Sequence, residues 1–238
     1  MDKYSIGDKV DTSTFSFICS DIKENDEVYN RIIGKTYVAN NDISLDDLVY
    51  IKLLHYNYDG DVVVGEVIVN KLIQEDIKYV FEKLFNLKYE INSMRLIDDY
   101  WIPGDDSATD RNSILHNNSS SFYYRRVKNQ DTLSNHALGL AIDINPIENP
   151  YTPRNKDGSF DTSLLTEYEL DKLVNRDDKK KENKHIITLD DEICRVFSDV
   201  SFECGGIWPL QNDAWSCDWQ HFEPEEEKQK RLILQLKK

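Results

Sequence analysis

Ser134-Asn135-His136-Ala137-Leu138-Gly139-Leu140-Ala141-Ile142-Asp143 is the stretch on which the reading of this chain turns. A glycine lets a loop turn sharply into an apolar strand, read over 140–144, and that strand carries one acid. An aspartate in such a run is expensive to bury unless something pairs with it. A metal ion shared with His136 is one such partner; an arginine or a ring of backbone amides is another. Asn145-Pro146 and Asn149-Pro150 end the strand, because proline removes a donor and restricts the residue before it.

A second informative stretch, Asp218-Trp219-Gln220-His221-Phe222-Glu223, places its histidine 78 residues after Asp143. In a final strand over 218–222, His221 and Glu223 share a face while Asp218 falls three positions earlier. A local bend would bring Asp218 and His221 round one ligand without both ligating it. That arrangement suits one ligand and one base beside a metal-activated water. A His-Asp-His set leaves the fourth tetrahedral position open, which marks a catalytic rather than a structural zinc site. The other histidines carry no such pattern: His55 sits in an apolar strand, and His116 and His185 lie in polar loops.

Outward from these stretches, residues 50–56 and 61–69 read as two strands joined by the turn Asn57-Tyr58-Asp59-Gly60. Asn70 caps the next element. Leu72, Ile73, Ile77, Val80, Phe81, Leu84 and Phe85 then recur at helical spacing. Residues 91–97 read as a strand, and 98–135 as a long stretch without periodicity, a feature that usually carries function. Helices are expected over 164–174, 193–197 and 225–238, and the charged run 176–184 reads as an exposed loop. Residues 1–45 are polar and irregular, so the expected division is an N-terminal extension, 1–45, and a domain, 46–238. Strands and helices do not alternate strictly, and the fold class expected is α+β.

The 238 residues hold 29 Lys+Arg against 44 Asp+Glu, a formal charge of −15. This is the reverse of the basic excess usual in proteins that bind a nucleic-acid backbone, and it argues against adhesion to anionic membranes. With 39% hydrophobic and 11% aromatic residues the chain can build a core. No run approaches the ~18 apolar residues of a membrane span. Met1-Asp2-Lys3-Tyr4-Ser5-Ile6-Gly7 lacks the basic-then-apolar order of a signal peptide, so the expectation is a cytoplasmic place, or export by a route that this sequence does not encode. Cys19, Cys194, Cys204 and Cys217 form no Cys-x-x-Cys pair and read as buried thiols, with a disulfide among the last three left open.

Together, Ser-x-His-x-x-Gly-x-Ala-x-Asp and Asp-x-x-His-Phe-Glu resemble the zinc D-alanyl-D-alanine carboxypeptidase family. That family includes the L-alanyl-D-glutamate endopeptidases of wall turnover and phage lysis and the vancomycin-resistance D,D-dipeptidases. It shares its fold with the Hedgehog signalling domain, a small antiparallel sheet with helices packed on it. Met94-Arg95-Leu96-Ile97-Asp98-Asp99-Tyr100 is similar to the strand leading into the family's site. Ser121-Phe122-Tyr123-Tyr124-Arg125 is similar to the segment delivering its substrate-binding arginine, and Asn145-Pro146 with Asn149-Pro150-Tyr151 continues the pattern. The likeness spans roughly residues 50–223.

The resemblance implies His136, Asp143 and His221 as ligands of one Zn²⁺, Asp218 as general base and Arg125, rather than its neighbour Arg126, as the group that steadies the substrate carbonyl. Such a zinc ion lowers the pKa of water from 15.7 to about 7. One departure is Cys204-Gly205-Gly206-Ile207-Trp208, where the family often has Trp-Gly-Gly-x-Trp; it bears on the pocket wall, not on the metal. Cys217 reads as a buried neighbour or a fifth contact, and Glu223 as an acceptor from a ligand histidine or an exposed acid.

The expected function is a monomeric zinc metallopeptidase acting on peptidoglycan stem peptides, at the terminal D-Ala or at L-Ala–D-Glu. Neither nucleic acid nor a membrane is expected as partner. The alternatives are a non-catalytic zinc-binding Hedgehog-like module, against which Asp218 argues, and a cytoplasmic D,D-dipeptidase.

Overall fold

The computed structural model describes residues 3–127, 132–153, 155, 157, 159, 161–163, 165–173, 176–208 and 216–236. The ends of the helices expected at 164, 174, 237 and 238 lie outside them. Two long strands, β2 (Leu48–Tyr56) and β3 (Val62–Asn70), pair antiparallel from Leu48↔Asn70 to Tyr56↔Val62. The turn between them needs a positive φ, which Gly60 supplies at +78°. Every residue of β3 is buried, because the sheet is covered on both faces.

One cover is helix α2 (Gln74–Asn86), reached through the Asn70 side chain, which accepts from Leu72 N. Its Ile77, Val80, Phe81, Leu84 and Phe85 lie on one face, and the first four pack on Val49, Ile51, Leu53, Val67 and Val69. Leu72, expected on that face, stays 39% exposed.

The other cover comes from residues 22–43. Strand β1 (Phe17–Asp21) pairs with β2 at Phe17↔Leu53 through Asp21↔Val49, giving the sheet order β1-β2-β3. Helix α1 (Glu27–Ile32) is capped by Asp26, and Ile22, Ile32, Tyr37 and Ile43 pack against Leu48, Tyr50 and Ile68. Arg31 of α1 grips the fully buried Glu66 with two bonds of 2.8 and 2.7 Å. The Tyr50 hydroxyl donates to the same carboxylate at 2.7 Å. The segment read as irregular is thus tied into the sheet by a buried ion pair.

Between 91 and 135 the structure differs from the pattern. The strand shrinks to β4 (Ser93–Met94), which pairs parallel with β5 (Asn118–Ser119). The stretch without periodicity contains helix α3 (Asp106–Leu115), capped by Asp105. Its buried residues are Thr109 and Ser113, so no apolar spacing announces it.

The strand over 140–144 reduces to β6 (Ile142–Asp143), followed by β7 (Tyr151–Pro153) and α4 (Glu167–Leu173). The charged run is not a loop: it forms α5 (Arg176–Glu182), and Arg176 is buried. After α6 (Glu192–Ser198) and β8 (Phe202–Cys204), the expected final strand divides into β9 (Ser216–Asp218) and β10 (His221–Pro224). Sheet order β6-β10-β8 and the pair β7-β9 put both motifs side by side. Helix α7 (Glu226–Leu236) ends the described chain. The architecture is α+β. No disulfide joins the four cysteines, and among the described residues no helix is long and apolar enough to cross a membrane.

Candidate metal centre

His136 lies in the 3-10 turn Asn135–Leu138, whose end requires Gly139 at φ +66°. A Cβ at Gly139 would stand 2.7 Å from Asn70 N, so only glycine lets this loop close on the end of β3. The next residues enter β6, where Asp143 is the direct antiparallel partner of His221. On its other side Asp143 exchanges two backbone bonds with Ser120, at 3.0 and 2.8 Å. Two segments 78 residues apart are thereby fixed in one register.

Three side chains converge there. His221 Nδ1 is 3.0 Å from Asp143 Oδ1, His136 Nε2 is 3.3 Å from Asp143 Oδ2, and the two ring nitrogens are 3.2 Å apart. The remaining nitrogens are engaged outward. His136 Nδ1 is 2.6 Å from the Ser121 carbonyl oxygen, and His221 Nε2 is 2.9 Å from Glu223 Oε2. When both rings are neutral, these outer acceptors take the N–H protons and leave two nitrogen lone pairs facing a carboxylate. A cation at their centre would satisfy that arrangement.

Zinc fits it. Ligands bound at ~2.05 Å in a tetrahedron stand about 3.3 Å apart, close to the three separations found here. These three side chains can hold a metal ion, all their donor atoms lying within 4.8 Å of one another. Protons answer part of the same need. Burial opposes a charged His221 ring, but hydrogen bonds to Asp143 and Glu223 outweigh it and hold its pKa well above the usual value. Burial likewise opposes ionisation of Asp143, yet the two histidines hold its carboxyl far below the usual range.

The bend expected before His221 exists: Trp219 and Gln220 form a turn between β9 and β10. Asp218 is half-buried, and its Oδ1 is sealed from solvent without a hydrogen-bond partner. Burial pushes its carboxyl up to about 7; His221 and a hydrogen bond with Gln220 oppose the shift, while Asp143 and Asp110 add to it. Gly205 makes room for this residue, since a Cβ there would lie 2.6 Å from the Asp218 carbonyl oxygen. Trp208 forms a wall, its ring centre 5.4 Å from that of His221 and its Nε1 donating to Glu203 at 3.0 Å.

Arg125 is half-buried, while Arg126 is exposed. The Arg125 Nη2 reaches Asp110 Oδ2 at 3.4 Å and its Nε is buried without a partner. Asp110, a residue of α3 to which the sequence gave no role, therefore connects Arg125 with the field at Asp218. Glu223 is the acceptor of a histidine proton rather than an exposed acid, and Asn135 Nδ2 donates to the same Glu223 oxygen. Nothing in the spacing marked Asn135 or Ser121 for these parts. Cys217 is buried against the Gly206 carbonyl at 3.9 Å.

No curated protein and no solved structure matches the chain. A family model does, over less than half of its length and beginning after Arg125. Residues 128–224, which carry both motifs and all three converging side chains, match the D-alanyl-D-alanine carboxypeptidase family, and it is this family that the chain resembles.

Proposed function

We propose that the chain is a zinc-dependent peptidase that hydrolyses peptidoglycan stem peptides, on a Hedgehog/D,D-peptidase-type fold. The observation that carries this reading is the convergence of His136, Asp143 and His221 beside a carboxylate whose Oδ1 is buried without a partner, inside the segment that matches a carboxypeptidase family. A zinc ion bound by the three side chains supplies Lewis acidity, making water a competent nucleophile near neutral pH.

The chain's own residues do the rest. Asp218 Oδ1, desolvated and without a donor, takes a proton from the attacking water. Its carboxyl then returns that proton to the leaving amine. Arg125 offers a planar fork whose Nε lacks a partner, suited to the substrate carbonyl as it gains negative charge. Trp208 and the Gly205-Gly206 turn exclude water from one side of the site.

Metal analysis of the purified protein, combined with turnover of tri-, tetra- and pentapeptide stems, tests the proposal. One zinc per chain with release of D-Ala or cleavage at L-Ala–D-Glu supports it. Zinc retained with no turnover of any stem overturns the peptidase reading and leaves the non-catalytic module.

A further inference from the structure

A cavity of about 490 Å³ lies apart from the metal-site side chains, among the β2–β3 turn, the end of α3, the segment after β6 and the start of α4. Tyr58, Asn117, Glu148, Thr166, Tyr168 and Glu169 are part of its lining. Two of these are buried acids, Glu148 at 4% and Glu169 at 1% exposure. Their circumstances differ.

Glu169 is neutralised. Arg111 grips it with two bonds of 2.7 and 2.9 Å, and Thr166 donates to it from both backbone and hydroxyl. Among the described residues, Glu148 receives only neutral donors. Its Oε2 accepts from the Tyr58 hydroxyl and Asn117 Nδ2, each at 2.8 Å, and its Oε1 from the Tyr168 hydroxyl at a long 3.4 Å.

The described cations nearby are committed elsewhere. Lys172 stands over the Tyr168 ring and pairs with Asp171, while Lys184 and His185 both bind Glu90. Arg176 reaches Glu148 only at its backbone carbonyl, at 3.4 Å. Among the described residues none forms an ion pair with the Glu148 carboxylate. A carboxylate buried in this way is costly unless a cation joins it.

The lining says which cation. Arg111 and Thr166 already hold Glu169, and the Asn117 amide is spent on Glu148 and Ile147 N, so Glu148 and two tyrosine hydroxyls are left, too few oxygens for calcium, which takes six to eight. Leu115 and Ile147 add apolar wall. That combination suits a positive head that donates hydrogen bonds, carried on an aliphatic stem. We propose that the cavity is a binding site for a primary alkylammonium group, with Glu148 as its counter-charge. The proposal does not rest on the peptidase reading.

Titration calorimetry of the full chain at pH 7 with n-pentylammonium tests it. The expected result is saturable binding that 1-pentanol does not reproduce and that E148Q weakens by at least about tenfold. A thermal melt establishes that E148Q folds. Should it not, Leu115→Trp, which fills the cavity mouth from a position 51% exposed, must abolish the same binding. Nα-acetyl-lysinamide in a parallel arm separates the sources: its binding assigns the group to a lysine-type side chain, and binding of n-pentylammonium alone assigns it to a free amine. Absence of saturable binding by the wild type, or binding unchanged in a folded E148Q or in Leu115→Trp, overturns the proposal.

Discussion

Glu223 Oε2 lies 2.9 Å from His221 Nε2, so the imidazole that meets Asp143 at one nitrogen is held by a second carboxylate at the other. Asn135 donates to the same Glu223 oxygen, tying the neighbour of His136 to the partner of His221. Glu223→Gln keeps the size and removes the charge that fixes the ring's tautomer. Zinc affinity should fall about 10–100-fold, with the fold intact, in competition against a chromogenic chelator. Unchanged affinity would reduce Glu223 to a packing role.

Asp218 separates metal binding from chemistry. Asp218→Asn should keep one zinc per chain while kcat on stem peptides falls about 10²–10⁴-fold, the range of general acid–base catalysis. Stopped assays beside metal analysis check both halves. Loss of zinc together with loss of activity would make Asp218 a ligand instead.

The Arg31–Glu66 pair makes residues 1–45 part of the fold's stability. Arg31→Ala leaves Glu66 fully buried without its counter-charge, and urea unfolding should show a loss of about 3–5 kcal/mol. Replacing both, as Arg31→Met with Glu66→Leu, should cost less than Arg31→Ala alone, because no charge is then stranded. Equal losses would contradict the account.

His55 gives a pH dependence remote from the metal centre. Burial lowers its pKa from 6.5 to about 4. The unfolded chain therefore takes up a proton at this ring before the folded one does, and the stability it allows is present above pH 6.5 and lost as pH falls through about 4. The difference amounts to about 3 kcal/mol. His55→Asn, which preserves a donor toward the Tyr56 carbonyl, should flatten that part of the stability profile between pH 7 and 4. Parallel profiles for the two proteins would refute the assignment.

What the sequence disclosed followed from how strongly each element depends on apolar spacing. The β2–β3 hairpin was plain because two β-branched or aromatic runs flank an Asp-Gly turn, and α2 because its buried face repeats at the helical period. Helix α3 was hidden, since it buries Thr109 and Ser113, and α5 was mistaken for a loop because Arg176 makes its buried contacts through hydrogen bonds. The positions of His136, Asp143 and His221 were legible in their motifs. The Ser121 carbonyl and the Asn135–Glu223 contact were not, as a backbone oxygen has no sequence signature and an asparagine beside a histidine is commonplace. Asp110 lies on the hidden helix, so its approach to Arg125 depended on an element that no pattern announced.

Mass spectrometry of whole sacculi, incubated with the zinc-loaded protein, tests the central claim most directly, because it detects cleavage and names the bond together. The account predicts stem peptides shortened by D-Ala, or new L-Ala carboxyl and D-Glu amino ends, with neither product from Asp218→Asn. Sacculi and soluble stems left intact by a protein carrying one zinc per chain would contradict it.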